Sequence, residues 1–316
     1  MGSYVVPICL SLAIASMTGL TAGRADAASP GACSNTTEAA FKACKAEALD
    51  DFWIGNGKCL NESESADRTE CQADNRKDYR EFSQECIEQQ DARTELCDAL
   101  GEKPYDPEFE RPNFVNPDDI GGSVAPNPYL PLIAGRSLVY KSAEEDILVT
   151  VTRDRKKIDG VWCRVVRDTV TSDGELVEDT IDWMAQDIEG NVWYCGEATA
   201  EYEDGMPVNT DGSFQADVDG ARPGILMKAA PAVGDIYRQE FDLGEAEDAA
   251  RVVSLHGSAS TPGASCQGNC LVTRETTALE PDAKEKKFYK PGVGEILTID
   301  LESGERTRLI QIIDGP

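Results

Sequence analysis

The sequence predicts an α+β protein in two parts: a disulfide-stapled antiparallel helical hairpin, then an all-antiparallel β meander forming a curved sheet or barrel. Three observations point there. The cysteines of the first third are spaced symmetrically, prolines crowd into one segment after them, and the remainder is rich in Val, Ile, Thr and Tyr broken by X-Gly pairs.

The first 27 residues belong to neither part. Tyr4 to Ala22 is apolar and uncharged, and Ala25-Asp26-Ala27 has the small-x-small form cleaved by signal peptidase. A signal peptide over 1–27 is expected, with an uncleaved anchor as the rival. No lipobox precedes Cys9. Past Ala28 no apolar run approaches the ~18 residues of a membrane span, so no membrane insertion is expected after cleavage. The product is then secreted or periplasmic, and its ten remaining cysteines are expected to form disulfides. Thiolate metal sites are the weaker alternative: Cys266 and Cys270 are spaced C-x3-C, and His256 is the only histidine.

Fifty-eight acidic residues face 30 basic ones, a net charge of −28. This excess disfavours nucleic acid and anionic membranes as partners. It leaves a cation or a basic protein, with solubility in a salty medium as the bland alternative.

From Cys33 to Leu100 the chain has no proline and a helix-forming composition. The gaps between Cys33, Cys44, Cys59, Cys71, Cys86 and Cys97 are 11, 15, 12, 15 and 11, symmetric about Ser65. Steps of 11 and 15 rotate a helix by only ~20° and ~60°, so each arm carries its cysteines on one stripe. Two arms folded at Ser65 pair Cys33 with Cys97, Cys44 with Cys86 and Cys59 with Cys71. Phe41, Ala48, Phe52 and Trp53 are available to pack against Tyr79, Phe82 and Leu96, while Gly55 and Gly57 weaken the first arm before Cys59. The hairpin spans 28–102, and 103–131, with seven of the sixteen prolines, reads as an extended linker.

The β domain occupies 132–316. Turn pairs at Asp159-Gly160, Asp173-Gly174, Glu189-Gly190 and Asp204-Gly205 suit a meander of two-residue hairpins, and about ten strands are expected. Turns centred on 173–174 and 189–190 place Val166 opposite Ile181 and Asp182 opposite Glu197. One face then carries Trp162, Val166, Ile181, Trp183, Val192 and Tyr194 as core. The other, outward, carries Arg167, Glu178, Thr180, Asp182, Glu197, Thr199 and Glu201. In this register Cys163 and Cys195 lie two strands apart, too far to bond. The shared pattern of Cys163-Arg-Val-Val-Arg-Asp168 and Cys270-Leu-Val-Thr-Arg-Glu275 favours Cys163–Cys270 with Cys195–Cys266, against a local Cys266–Cys270 bridge.

The segments Asn127-Pro-Tyr-Leu-Pro-Leu-Ile-Ala-Gly135, Val177-Glu-Asp-Thr-Ile-Asp-Trp183 and Gly190-Asn-Val-Trp-Tyr194 resemble stretches of uncharacterised secreted bacterial proteins. These join a cysteine-bearing N-terminus to a similar β-rich C-terminal domain. The resemblance implies the same two-part organisation and no activity.

Enzyme templates find no footing: no nucleophile elbow, phosphate loop or dinucleotide fingerprint is present, and a single imidazole leaves triads and His-based metal sites incomplete. Asn209-Thr-Asp-Gly-Ser213 and Asp217-Val-Asp-Gly220 resemble pieces of a calcium loop but lack its pattern, and turn chemistry explains both. On the acidic face, like charges stand opposite one another, Asp182 to Glu197 and Glu178 to Glu201. They call for full solvation or a countercation. Glu178, Asp182, Glu197 and Glu201 are therefore the candidate ligands for a hard divalent cation such as calcium, in an exported acidic binding module. The alternatives are a structural or surface-interaction protein using the hairpin as spacer or docking arm, and a carrier of an apolar ligand inside the β domain.

Overall fold

In the computed structural model, residues 31–315 are described; the leader expected over 1–27 lies outside them. Helices α1 (Ala32–Leu60) and α2 (Ser65–Leu100) form the hairpin, with the turn where the cysteine symmetry places it. Disulfides join Cys33 to Cys97, Cys44 to Cys86 and Cys59 to Cys71, with Cα separations of 5.7, 5.7 and 5.5 Å. The hairpin has little apolar core: the buried residues of α1 are Cys33, Thr37, Ala48 and Cys59, and those of α2 are Cys86, Arg93 and Cys97. Helix α1 continues unbroken through both glycines. Gly55 serves close approach, since a Cβ there would meet Asn75 Oδ1 at 2.0 Å. Asn75 Nδ2 donates to the Phe52 carbonyl across the seam (3.0 Å), and Phe52 packs on Tyr79. Trp53, by contrast, is exposed, as are Ile54 and Leu60.

The β domain is one antiparallel sheet that curls into a nearly closed barrel. Its first meander comprises β1 (Arg136–Lys141), β2 (Glu145–Ile158), β3 (Val161–Ser172), β4 (Glu175–Gln186) and β5 (Val192–Glu203). The short strands β6 (Met206–Asn209) and β7 (Phe214–Gln215) extend β5, and β8 (Arg222–Met227) continues the wall beside it. The second meander is β11 (Asp248–Ser260), β12 (Ser265–Thr277), β13 (Lys284–Lys290), β14 (Gly294–Asp300) and β15 (Arg306–Asp314), joined to the first by β1–β15 pairing. Between the free edges runs Ile236–Phe241: β9 (Ile236–Arg238) pairs with β11, and β10 (Glu240–Phe241) pairs with β8. One short segment thus touches both edges, pairing with Ala249–Arg251 of β11 and with Arg222 and Pro223 of β8.

Three of the four expected hairpin turns have positive φ at both central residues: 43° and 81° at Asp159-Gly160, 52° and 85° at Asp173-Gly174, 51° and 73° at Asp204-Gly205. The Asp-Gly pairs suit this geometry. Glu189-Gly190 lies instead in a longer loop built around Asp187, whose carboxylate accepts from the Glu189 and Asn191 backbone amides and from Trp193 Nε1.

The proline-rich segment is not a free linker. Phe109 and Phe114 stack on each other and on Trp193 outside the barrel. They cover an outer core of Ile158, Val161, Cys163, Trp183, Ala185 and Cys195. Residues 115–132 then enter one end of the barrel, where Ile120 and Leu132 pack against Val151, Val166, Val192 and Leu271. Asn127, 1% exposed, fixes this plug: its Oδ1 accepts from the Tyr129 and Leu130 amides, and its Nδ2 donates to the carbonyls of Gly190 and Met227. From the wall, Gln186 brackets Asn127, and Arg164 Nη2 donates to the Pro117 carbonyl at 2.6 Å.

The hairpin is docked on the barrel. Arg93 of α2 grips Glu247 next to β11 through Nε and Nη2 at 2.7–3.1 Å, both side chains being almost wholly buried.

The disulfides of the β domain differ from the expected pairing. Cys163 bonds Cys195, with Cα atoms 6.7 Å apart, and Cys266 bonds Cys270. The meander itself is as expected, so the difference lies in its bulges. Trp183 pairs with Gly196 but Met184 with Tyr194, leaving Cys195 as the extra residue of a bulge. The bulge needs Gly196: its φ is 138°, and a Cβ would stand 2.4 Å from the Phe214 carbonyl oxygen. Bulging turns Cys195 to the outer face beside Cys163, within the outer core that also holds Ala185 and Ala216. Cys270 pairs with Gly257 in a stretch of shifted register, and the local bridge to Cys266 forms there.

Candidate functional site

A second bulge decides what lines the barrel. On β4, Glu178 pairs with Val170 and Leu176 with Thr171, so Val177 is the extra residue. Beyond it the register slips by one: Val166 stands opposite Asp182, and Arg167 opposite Ile181. A one-residue slip exchanges faces. The acidic face expected outside is therefore the lumen. Thr180 is 4% and Asp182 8% exposed, whereas Trp162 and Ile181, expected in the core, are each 38% exposed. Trp183 is buried, but in the outer core.

Cys195 adds to this, because it puts Tyr194 and Glu197 on one side of β5. The Tyr194 hydroxyl lies within hydrogen-bond reach of Asp182 Oδ1 (2.5 Å) and Glu197 Oε2 (3.0 Å). The line of polar groups continues: Thr199 Oγ1 donates to Glu197 at 3.2 Å, and Thr180 Oγ1 lies 3.0 Å from Thr199 Oγ1 and donates to Glu178 at 2.8 Å. Asp168 of β3 and Glu240 of β10 line the same space.

Of the four expected ligands the structure brings together Asp182 and Glu197. Glu178 and Glu201 are cross-strand partners farther along, and Glu201 is exposed and accepts from Asn209 Nδ2. Among the described residues, no three His, Cys, Asp or Glu side chains are arranged to hold a metal ion. Arg167, expected to share the acidic face, is bound outside to Asp179 by two 2.8 Å hydrogen bonds.

The lumen holds a cavity of about 350 Å3. One part of its wall is apolar, including Leu130, Leu138, Ile147, Val149, Leu226 and Val293. Another part is Asp168, Asp182 and Glu240, with Glu197 behind them against the Tyr194 hydroxyl; none of the four forms an ion pair with Lys or Arg among the described residues. Burial is the chief cause that pushes the carboxyls of Asp168, Asp182 and Glu197 up to about 7, their mutual repulsion adding to it. Burial and the nearby Asp248 push Glu240 well above its ordinary value. Asp168 Oδ1 is buried with no hydrogen-bond partner.

On the β12–β14 side a lysine partly offsets the carboxylates. Lys287 Nζ lies 3.0 Å from both Glu275 and Glu285, and Glu275 also accepts from Thr273 Oγ1 and Tyr289 Oη. Burial favours the neutral amine of Lys287, but Glu275, Glu285 and Glu295 outweigh it and hold its pKa well above normal. Likewise burial raises Glu275, while Lys287 and the hydrogen bonds leave it below its ordinary value.

Sequence reasoning missed Asp168, Glu240, Glu275, Lys287 and Glu295. The alternation on β12 and β13 carries the nearest signal, since Thr273, Glu275, Lys287 and Tyr289 sit at the period of one strand face. A larger cavity, about 460 Å3, lies between α2 and β11–β12. It is lined by exposed charges of both signs, such as Glu88, Asp91, Arg251 and Arg274.

Five disulfides among the described residues fit a chain that matures outside the reducing cytoplasm. No described helix is long and apolar enough to cross a membrane. No family model matches the chain, and no curated protein does. One solved structure, that of a candidate lipoprotein from Parabacteroides distasonis, aligns over 60% of this chain and 100% of its own at 12% identity. Its TM-score is 0.33, a likeness that carries no argument about fold or function.

Proposed function

We propose that this is an exported binding protein, periplasmic or secreted, that carries a small, partly apolar ligand in the lumen of its β barrel. The supporting observation is the cavity of about 350 Å3, walled on one side by Leu138, Ile147 and Leu226 and closed at one end by the 115–132 plug. Ligand sites are characteristically concave, largely apolar and of at least ~300 Å3. A barrel built only for stability gains nothing from leaving Asp168, Asp182, Glu197 and Glu240 largely buried without a counter-charge, since each buried carboxylate is costly. Function is the usual reason for such a cost.

The neutral dye N-phenyl-1-naphthylamine tests this. Its fluorescence is expected to rise saturably on titration with the protein. Leu226→Trp or Ile147→Trp, which fill the cavity, should abolish the rise while leaving the far-UV circular dichroism unchanged. Dye binding that neither filling variant weakens would place the dye elsewhere and defeat the proposal.

A further inference from the structure

Resting on the lumen reading, we propose that the cavity selects an organic cation: an ammonium or guanidinium group held by Asp168, Asp182 and Glu240 and drawn also by the charge of Glu197 behind them, with its apolar body along Leu138, Ile147 and Leu226.

Three features of the wall carry this. The cavity is acidic overall: Asp168, Asp182 and Glu240 on its wall and Glu197 behind them have no cationic partner among the described residues, while the lining cations are already held, Lys287 by Glu275 and Glu285 and Arg136 by Asp314. Arg167, the cation nearest in sequence, is held outside by Asp179. An anion entering the cavity would meet a net negative field; a cation would find what the acidic wall lacks.

Hydrogen-bond donors are also too few. Tyr194 lies within reach of both Asp182 and Glu197, yet its hydroxyl has one proton and can donate to one of them at a time. Asp168 Oδ1 has no donor at all. An ammonium brings three N–H groups and a guanidinium five, enough for the unmet oxygens. Donors and charge arrive together, which makes such hydrogen bonds roughly twice as strong as neutral ones.

The apolar part of the wall separates an organic cation from a bare metal ion. Calcium needs six or more oxygens, and no set of three metal-ligating side chains is assembled among the described residues. Leu138, Ile147 and Leu226 offer a metal ion or its water shell nothing, but they can cover a carbon skeleton.

The experiment is displacement of bound N-phenyl-1-naphthylamine at pH 8 by three indoles of one size: tryptamine (cation), indole-3-ethanol (neutral) and indole-3-acetate (anion). Calcium chloride is a fourth arm. Tryptamine is expected to compete at least ~10-fold better than indole-3-ethanol, as charged hydrogen bonds imply, and indole-3-acetate worst. The double variant Asp182→Asn, Glu197→Gln should bring tryptamine close to indole-3-ethanol while dye binding stays. Asp168→Asn alone should give a smaller loss in the same direction, which keeps the test available if the double variant fails to fold. Equal competition by tryptamine and indole-3-ethanol, with the dye still bound, would overturn the cation selectivity and leave the lumen reading standing. Displacement by calcium with a matching rise in melting temperature would replace the organic cation by a metal. Failure of the dye and of all three indoles to bind would remove the lumen reading and this inference with it.

Discussion

The helical hairpin and the β barrel stay folded by different means. In the hairpin the buried positions are chiefly half-cystines, and larger side chains such as Trp53 and Leu60 remain exposed. In the barrel, apolar side chains do the packing in two layers, the plug inside and the Phe109–Phe114 strap outside, and this surplus tolerates a polar, acidic lumen. Covalent closure acts on the unfolded chain and needs little core; side-chain packing acts on the folded state and can offset buried charge elsewhere. The contrast can be broken or sharpened by experiment.

The largest effect should follow reduction. The bridges Cys33–Cys97 and Cys44–Cys86 close separations of 64 and 42 residues. Each is expected to stabilise the hairpin by about 4 kcal/mol on the loop-entropy model. Replacing these four cysteines by serine should remove most of the helical circular dichroism while the tryptophan signal of the barrel persists. Helicity that survives would mean that packing holds the hairpin after all.

Next comes the joint between the two parts. Arg93→Ala leaves Glu247 buried without its cation and should cost about 3–5 kcal/mol, with faster hydrogen exchange along α2. Arg93→Met combined with Glu247→Leu should cost far less, because no lone charge remains. Equal losses in the two proteins would show that charge does not hold the joint.

A smaller effect concerns the lumen and pH. Asp168, Asp182 and Glu197 titrate near 7 when folded but near 4 when unfolded. Between those values the folded state binds more protons, so stability falls as pH rises and levels off above about 7. The groups facing them are Glu178, Glu240, Glu295 and Tyr194, of which the carboxylates act in the same direction. One pKa unit corresponds to ~1.4 kcal/mol, so a rise from about 4 to about 7 sets a ceiling of about 4 kcal/mol at pH 8; because Tyr194 loses its charged acceptor, Asp182→Asn should stabilise the ligand-free protein by about 2 kcal/mol there and little at pH 4. Denaturant midpoints at the two pH values decide it; an equal shift at both would point to packing instead of ionisation. Smallest of all, Arg167→Ala removes an exposed pair with Asp179 and should change stability by no more than ~1 kcal/mol. A larger loss would mean that Arg167 also counters the field of the lumen.

Much of this was legible in the chain, for reasons that stay local. The hairpin pairing follows from cysteine spacing and a rotation of 100° per residue, both regular over long distances. The Asp-Gly turns at 159–160, 173–174 and 204–205 follow from which residues accept positive φ, and they set the order of the meander. The orientation of each strand was another matter. Alternation holds only until a bulge; nothing around Val177 marks it as an extra residue, and beside Cys195 the one signal is Gly196, a glycine inside a strand pattern.

By itself, then, the sequence determined the two-part organisation, the three bridges of the hairpin, the successive hairpins of the first meander and the opposition of Asp182 to Glu197. Tertiary structure alone decided which side of the sheet is the inside. That choice depends on curvature and on two single-residue slips, whose local cost is repaid only when distant segments, the plug at 115–132 and the strap at 105–114, cover the faces they create. The same carboxylates read as a solvated outer surface or as a buried wall according to that one choice, because side-chain direction reverses with every residue along a strand.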